Sequence, residues 1–580
     1  MTCAAGGTAR RRGLLLALAL LLAVGAPGCD DGRGAAGAAG ASATQKPAVP
    51  APAGLLAELV VPAPHHLVAE LRRAAGGPVL FLPRTVGGLV TNLFGFPLRV
   101  VELVDERLPI VGVVAAAPPA DGGAGGDELA VAIHVKSGQR FTAQASAGAD
   151  GSFSAKPDGE ITWLIPKPEA RAARLDAAVA VLDSYLVIGS GQGAVRRLGP
   201  YLTRTLARRK PPAGGVHVEL TSAAFGDPLR ARLGRWHRRL AALPLPDQLR
   251  ALVDLDALAQ AAGTFLAELG KGSVTLSLDD RALVVSATAQ PRDDAAAKRL
   301  AALPTVAPSQ LLVLPDDTVA AAGWAETVAG RLARAKRSGP AMAALFGEPF
   351  SAADQSELAR TFETLAKGQG DQLVVGLRCT GVGITGFATG AVQDEKELST
   401  GLEALVKLRK HPAVVAQLEA RSLSVQAKKS RVLRVPHDVW KIGLKPSAKS
   451  KTDPTATAPG EPAKSRPIGL VLGWSAEHLW AAAGLQAVET VQHLYEPDAE
   501  RSLASRETLK SAIDRLGGKA WVVLLLDPQG MHACWEGKPG GALATPVALA
   551  AGLGADQQVR LRLELARPLL RVAVKQLGGF

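Results

Sequence analysis

The run Ala178-Val179-Ala180-Val181-Leu182, Asp183-Ser184, Tyr185-Leu186-Val187-Ile188, followed by Gly189-Ser190-Gly191-Gln192-Gly193 and Ala194-Val195-Arg196-Arg197-Leu198, sets the fold class. Two short aliphatic, β-branched runs separated by two polar residues read as a hairpin. The small residues then turn the chain, and apolar positions three and four apart begin an amphipathic helix. The same form recurs at 469–481, where a second hairpin leads through Gly484-Leu485-Gln486-Ala487-Val488 into a helix. At one constant offset Leu186, Gly191, Ala194 and Val195 fall on Leu479, Gly484, Ala487 and Val488. Segments 273–288 and 373–388 are also hairpin-like, each preceding a helix, at 293–303 and at about 395–408.

Hairpins beginning near 179, 274, 373 and 470 are spaced by 95, 99 and 97 residues, and a last one is expected to pair 559–564 with 569–574. Single apolar strands are expected at 216–220, 311–314 and 521–526. The resulting expectation is an α+β fold of about five strand-turn-strand-helix modules, which add strands to antiparallel sheets with helices packed on them. Arg560, Arg562 and Glu564 alternate with Leu561, Leu563 and Leu565, which predicts a sheet with one wet face and one dry face.

The 580 residues exceed one hydrophobic core, and 47% apolar against 21% charged composition excludes wholesale disorder. Arg10, Arg11 and Arg12, an apolar run at 14–24 and Gly25-Ala26-Pro27-Gly28-Cys29 have the layout of a secretory signal peptide. That run is too short to span a bilayer. Ala26-Pro27-Gly28-Cys29 resembles a bacterial lipobox, whose Cys is diacylated, so residues 1–28 are expected to be removed and Cys29 lipidated; the alternative is secretion with a cut just downstream. Loss of the three arginines lowers the net charge from +13 to +10. Residues 29–53, poor in apolar periodicity, read as a flexible tether. Folded segments are expected at 54–215, 216–410 and 411–580, with a disordered polar insertion at 445–467.

Leu314-Pro315-Asp316-Asp317-Thr318-Val319, read as the start of a helix, is similar to an L-P-x-D-T element of a family of large bacterial envelope proteins of unknown function. The hairpin from Val181 to Gly189, leading into Ala194 and Val195, resembles that family's other recurring element. The likeness covers residues 130–500 in pieces. It implies export and this fold class, and no chemistry.

Residue patterns for catalysis are weak. The glycines at 189, 191 and 193 follow a strand and precede a helix, where a phosphate-binding turn would sit, but the third glycine of G-x-G-x-x-G and the ribose-binding acid are missing. Ser190 has no assignable His or acid, and H-E-x-x-H, C-x-x-C and G-x-S-x-G are absent. No cofactor, metal or catalytic residue is assigned, and an enzyme site assembled across modules stays an alternative. Cys379 and Cys534 remain once Cys3 and Cys29 are accounted for, and they are a candidate disulfide or two buried thiols.

The stronger signal is basic. Arg230, Arg232, Arg235, Trp236, Arg238 and Arg239 interleave with Leu229, Leu233 and Leu240 at helical period, suiting anionic lipid head groups, an acidic partner or simple solvation. Arg204, Arg208, Arg209 and Lys210 precede this helix, and Arg331, Arg334, Lys336 and Arg337 repeat the pattern. Nucleic acid is disfavoured in an exported chain without aromatic interleaving. The sequence thus points to a lipid-anchored protein of the bacterial envelope, facing the periplasm or the surface. Its expected role is non-catalytic binding or scaffolding of an envelope protein, polymer or anionic lipid, with carriage of an apolar ligand as the alternative.

Overall fold

The computed structural model describes residues 46–569 apart from 76–82, 119–125, 148–151, 169–176, 243–254, 279–281, 347–349, 381–382, 421–422, 433–434, 447–468, 537 and 539–545. The expected signal peptide, Cys29 and the tether as far as residue 45 lie outside the described residues. So does the insertion at 445–467, except for Lys445 and Pro446. The chain divides into unit 1 (residues 1–232, 265–293 and 565–580) and unit 2 (233–264 and 294–564). The expected boundaries at 215/216 and 410/411 fall inside these units.

Unit 1 contains β1 (Leu55–Val61), β2 (Ile110–Ala116), β3 (Asp127–His134), β4 (Phe153–Asp158), β5 (Ile161–Pro166), β6 (Ala178–Leu182), β7 (Tyr185–Gly189), β8 (Val216–Leu220), β9 (Leu269–Leu278) and β10 (Ala282–Pro291). They pair antiparallel in the order β4-β5-β6-β7-β3-β2-β1-β8-β9-β10. Unit 2 contains β11 (Thr318–Ala325), β12 (Gln369–Thr380), β13 (Gly383–Val392), β14 (Leu423–Val432), β15 (Val435–Pro446), β16 (Gly469–Trp474), β17 (His478–Gly484), β18 (Val522–Leu526), β19 (Val547–Leu553) and β20 (Val559–Ala566). Their order is β14-β15-β16-β17-β13-β12-β11-β18-β19-β20. Counted from each unit's own first strand, the two orders are the same.

The helices fall in matching slots. In unit 1, α1 (Pro64–Ala75) and α2 (Val86–Phe94) lie between the first two strands, α3 (Gly138–Ser146) after the third, and α4 (Gln192–Arg204) after the seventh. After β8 come α5 (Asp227–Ala241), which passes into unit 2 at residue 233, and α6 (Leu255–Ala267), most of which belongs to unit 2; α7 (Asp294–Ala301) follows β10 and also belongs to unit 2. In unit 2, α8 (Val328–Phe346) and α9 (Ala352–Gly368) fill the first slot, and α10 (Glu395–Lys407) and α11 (Pro412–Ala420) the second. Then come α12 (Ala487–Tyr495), α13 (Glu507–Leu516) and α14 (Pro528–Trp535).

The α+β class and the antiparallel strand-turn-strand-helix elements are as expected. The offset that superposes Leu186 on Leu479 is the relation between units, since it lays β7 and α4 on β17 and α12. The near-constant spacing of 97 residues instead joins hairpins in different places: only β6–β7 and β16–β17 are equivalent, whereas β9–β10 and β12–β13 are the last and second steps of their units. Two local readings are corrected. Residues 308–311 form a 3₁₀ turn, so 311–314 is not a strand. Thr318 opens β11, so the 314–319 stretch starts a strand, its Pro and Asp residues serving a turn. β20 pairs with β19, and all of its expected partner strand at 569–574 beyond residue 569 lies outside the described residues.

Apolar packing sits on both faces in unit 1. One face presents Val111, Val113, Ala132, Val187 and Leu182 to Val195, Leu198 and Leu202 of α4. The other presents Ile110, Val131, Ile133, Leu186 and Ile188 to Val86, Val90, Phe94, Phe96 and Phe141. Burying each such side chain contributes about 1.5–3 kcal/mol. The expected wet face is therefore absent there, because helices cover both sides. In unit 2 one face packs against α12 and α13 through Ala321, Val374, Phe387, Trp480, Val523 and Leu525. The polar stripe of β20 is covered at one end, where Glu564 is 3% exposed and accepts from Arg515 at 3.0 and 2.6 Å and from Arg562 at 3.0 Å, and open at the other, where Arg560 is exposed.

Each unit closes its first strand with one arginine. In unit 1 Arg197 of α4 donates to Glu128 at 2.7 Å and to the carbonyls of Ala53 and Ala116 at 2.9 and 2.7 Å. In unit 2 Arg378 of β12 donates to both oxygens of Asp317, at 2.8 and 2.7 Å, and to Thr490 of α12 at 2.9 Å. Thr490 occupies the helix position of Arg197, so the same corner is tied from opposite elements. The two carboxylates are similarly half-buried, at 23% for Asp317 and 19% for Glu128, but Arg378 is 5% exposed and Arg197 24%. Arg378→Ala, which also empties a buried site, is expected to cost about 2–4 kcal/mol and Arg197→Ala about 1–2 kcal/mol. Chemical denaturation of the two variants checks both values.

Candidate functional site

The helix α5 begins with Asp227 and Pro228 and ends with Arg238 and Arg239, charges placed to suit the helix dipole. Leu229 and Leu233, one turn apart, are half-buried, and no described residue of α5 or α6 is buried. In α4, by contrast, seven residues are buried, among them Val195, Leu198 and Tyr201. Trp236 is 62% exposed, and Arg230, Arg235, Arg238 and Arg239 are exposed with no partner among the described residues. Arg232 leaves the predicted set because it pairs with Asp127 at 2.7 Å. His237 meets Asp256 of α6 at 3.0 Å and so joins the two helices.

Five residues of the other basic runs are used internally, while Lys210, Lys336 and Arg337 are exposed. Arg331 is 2% exposed and donates to the carbonyls of Ala366 and Glu326 and to Gln393 at 3.1, 2.9 and 2.7 Å. Arg334 pairs with Glu326 at 3.0 Å. Arg204 pairs with Glu160, and Arg208 donates to the carbonyl of Lys46. Arg209 reaches Glu58 at 2.6 Å and Tyr201 at 2.7 Å, and Tyr201 also donates to Glu58. Burial first, then the bond to Glu58, pushes the Tyr201 phenol up to about 12. Residues 46–53, expected as tether, are held by these contacts and by Val49 donating to Thr205 at 2.9 Å.

The glycine-rich turn is a packing device. A side chain at Gly189 would stand 2.7 Å from Val195, and Ser190 exchanges bonds with Leu129 of β3. Cys379 and Cys534 are disulfide-bonded, fixing α14 to β12. His residues meet carboxylates at His134–Asp105 (3.6 Å) and His411–Asp354 (3.1 Å). Asp354 also accepts from Ser351 in the capping box of α9, which, with His411, holds its carboxyl below the usual range. His65 and His66 have rings 4.1 Å apart on α1. No group of three metal-binding side chains occurs among the described residues.

One further apolar surface escaped the sequence reading. On the second face of unit 2, Val375, Leu377, Ile384, Ala388 and Leu524 form an apolar stripe across strands β12, β13 and β18. None of them is buried, and Leu377 and Ile384 are 39% and 49% exposed. The equivalent face of unit 1 is closed by Phe94, Phe96 and Phe141. Helix α6 was also missed, because its Ala-rich sequence carries little periodic contrast.

No family model and no curated protein matches the chain. Among solved structures it is similar to crystal forms IV and III of TP0453. Form IV is 12% identical with a TM-score of 0.21, covering 41% of this chain and 77% of that one. Form III is 11% identical with a TM-score of 0.23, covering 44% and 89%. A likeness this distant says nothing of what the chain binds.

Burial lowers the pKa of His134, against the pull of Asp105, and lowers that of His493 against its bond to the carbonyl of Val313. Both groups take up a proton less readily folded than unfolded. Their contribution to stability is therefore complete above the unfolded value of about 6.5 and declines as pH falls through it. The melting temperature is expected to drop between pH 7.5 and 5.5, and a His134→Gln/His493→Gln variant should show a flatter profile.

Proposed function

We propose that the chain is an exported envelope protein, held to a membrane by lipid on Cys29, which works by binding and lays α5 and α6 against an anionic bilayer. The observation that carries this reading is the open face of α5, where four arginines without a partner among the described residues flank an exposed Trp236. Tryptophan combines an apolar body with a polar tip and suits the head-group region, while arginines gain from anionic lipid. The disulfide supports an oxidising compartment. With residues from 46 onward held by unit 1, the 17 residues at 29–45 span about 20–25 Å on average, so the body stays close to its anchor.

At about 1 kcal/mol for each basic side chain near the surface, changing Arg235 and Arg238 to Glu should lower binding to phosphatidylglycerol vesicles by about thirtyfold or more. Unchanged sedimentation with these vesicles would remove the reading. Cys29→Ala should move the protein from the membrane to the soluble fraction of cells. The half-open apolar face of unit 2 favours a second reading, carriage of an apolar ligand. A fluorescent fatty acid displaced from wild type but not bound by Leu377→Glu would support that one.

A further inference from the structure

We propose that the half-open sheet face of unit 2 holds a single acyl chain, laid on strands β12, β11, β18 and β19 with its head group left unread, and that α14 borders this site. The proposal deepens the second reading above, an apolar ligand on unit 2, and does not depend on α5. The register lines up Val375, Ala322, Leu524 and Leu549 in one row across the four strands. Parallel rows run from Leu377 to Val547 and from Leu373 to Ala551 on either side of it. Side chains alternate along a strand, and the intervening Ala321, Val523, Leu525 and Ala548 are buried beneath α12 and α13 on the other face. No residue of the three rows is buried, and none joins the clusters under α12 and α13 or under α10.

What this face offers limits what it can take. β12, β11 and β18 are each paired on both sides, so they have no free edge to which a peptide strand could add. The rows are aliphatic apart from Trp324, so a sugar or a charged ligand would give up hydrogen bonds to water and regain almost none. Size sets a third limit. Strands about 4.8 Å apart and rows about 7 Å apart make a patch of roughly 300 Å², less than half of the roughly 800 Å² that each partner contributes to a stable protein interface. A second copy or a folded partner therefore gains too little here, whereas a hydrocarbon chain is narrow and needs no hydrogen bond. The disulfide places α14 at one border of the patch. Cys379, two residues beyond Leu377 on the same face, is bonded to Cys534 with Cα atoms 5.8 Å apart, and Ile384 stands opposite Cys379 on β13. On α14, Met531 and Trp535, one turn apart, are 40% and 89% exposed. A tryptophan on that border suits the point where a chain leaves an apolar bed for water.

The test is calorimetry of the full-length protein with decanoic, lauric and myristic acids and with lysophosphatidylcholines of the same chains, all below their micelle concentrations. Each added methylene should tighten binding about two- to fourfold, and the two head groups should give affinities within about threefold of each other. Leu524→Gln and Ala322→Gln change only the open side, so both should melt within a few degrees of wild type and bind myristic acid about tenfold more weakly or worse. Trp535→Ala should weaken binding about threefold. Failure of every chain to bind would remove both this proposal and the second reading. Binding that Leu377→Glu abolishes but Leu524→Gln and Ala322→Gln leave intact, or that the carboxylic acids alone show, would overturn this proposal and leave the second reading standing. Uptake of chains from intact vesicles with no affinity for the monomers marks a bilayer contact and overturns it as well.

Discussion

In both units the strand that comes first in sequence lies inside the sheet, so both of its edges need hydrogen-bond partners. β1 is flanked by β2 and β8, and β11 by β12 and β18. One partner arrives with the first meander, whereas the other arrives only after a second meander of four strands has been laid down beyond it. The order of the sheet, the crossing of α4 and α12 over its middle, and the arginine at the corner of the first strand all follow from this. An unpaired edge on β1 would expose backbone donors and acceptors in the middle of an apolar layer.

Two units with one strand order make the molecule its own control. What both contain is scaffold: the meanders, the helix after the seventh strand and the arginine clamp. What only one contains needs another explanation. The slot after the eighth strand of each sheet holds only the short α14 after β18 but the longer α5 and α6 after β8, and those two helices bury none of their described residues. Likewise, one sheet face is closed by phenylalanines in unit 1 and left half-open in unit 2. Differences of this kind are where the proposed binding surfaces lie.

The legible part of this fold was the local part. Hairpins β6–β7, β9–β10, β12–β13 and β16–β17, each followed by a helix, could be read because turn residues and aliphatic runs signal themselves over a dozen positions. The order of the strands could not, since it depends on pairings such as Ala57 with Leu220. The same limit governed the charges. The periodicity of α5 was plain, but that Arg232 would be taken by Asp127 and Arg331 sealed beneath α9 depends on distant segments. Likewise Ala322 and Leu524 are 202 positions apart, and only the order of the strands makes them neighbours.

The disulfide has a meaning beyond holding α14 in place. Its two cysteines lie 155 residues apart, enclosing most of the strands of unit 2 together with the polar stretch 447–468. A protease that cuts the backbone anywhere in that interval produces two fragments which remain one covalent molecule. Cleavage within the enclosed interval therefore does not shed the C-terminal strands from the rest of the chain.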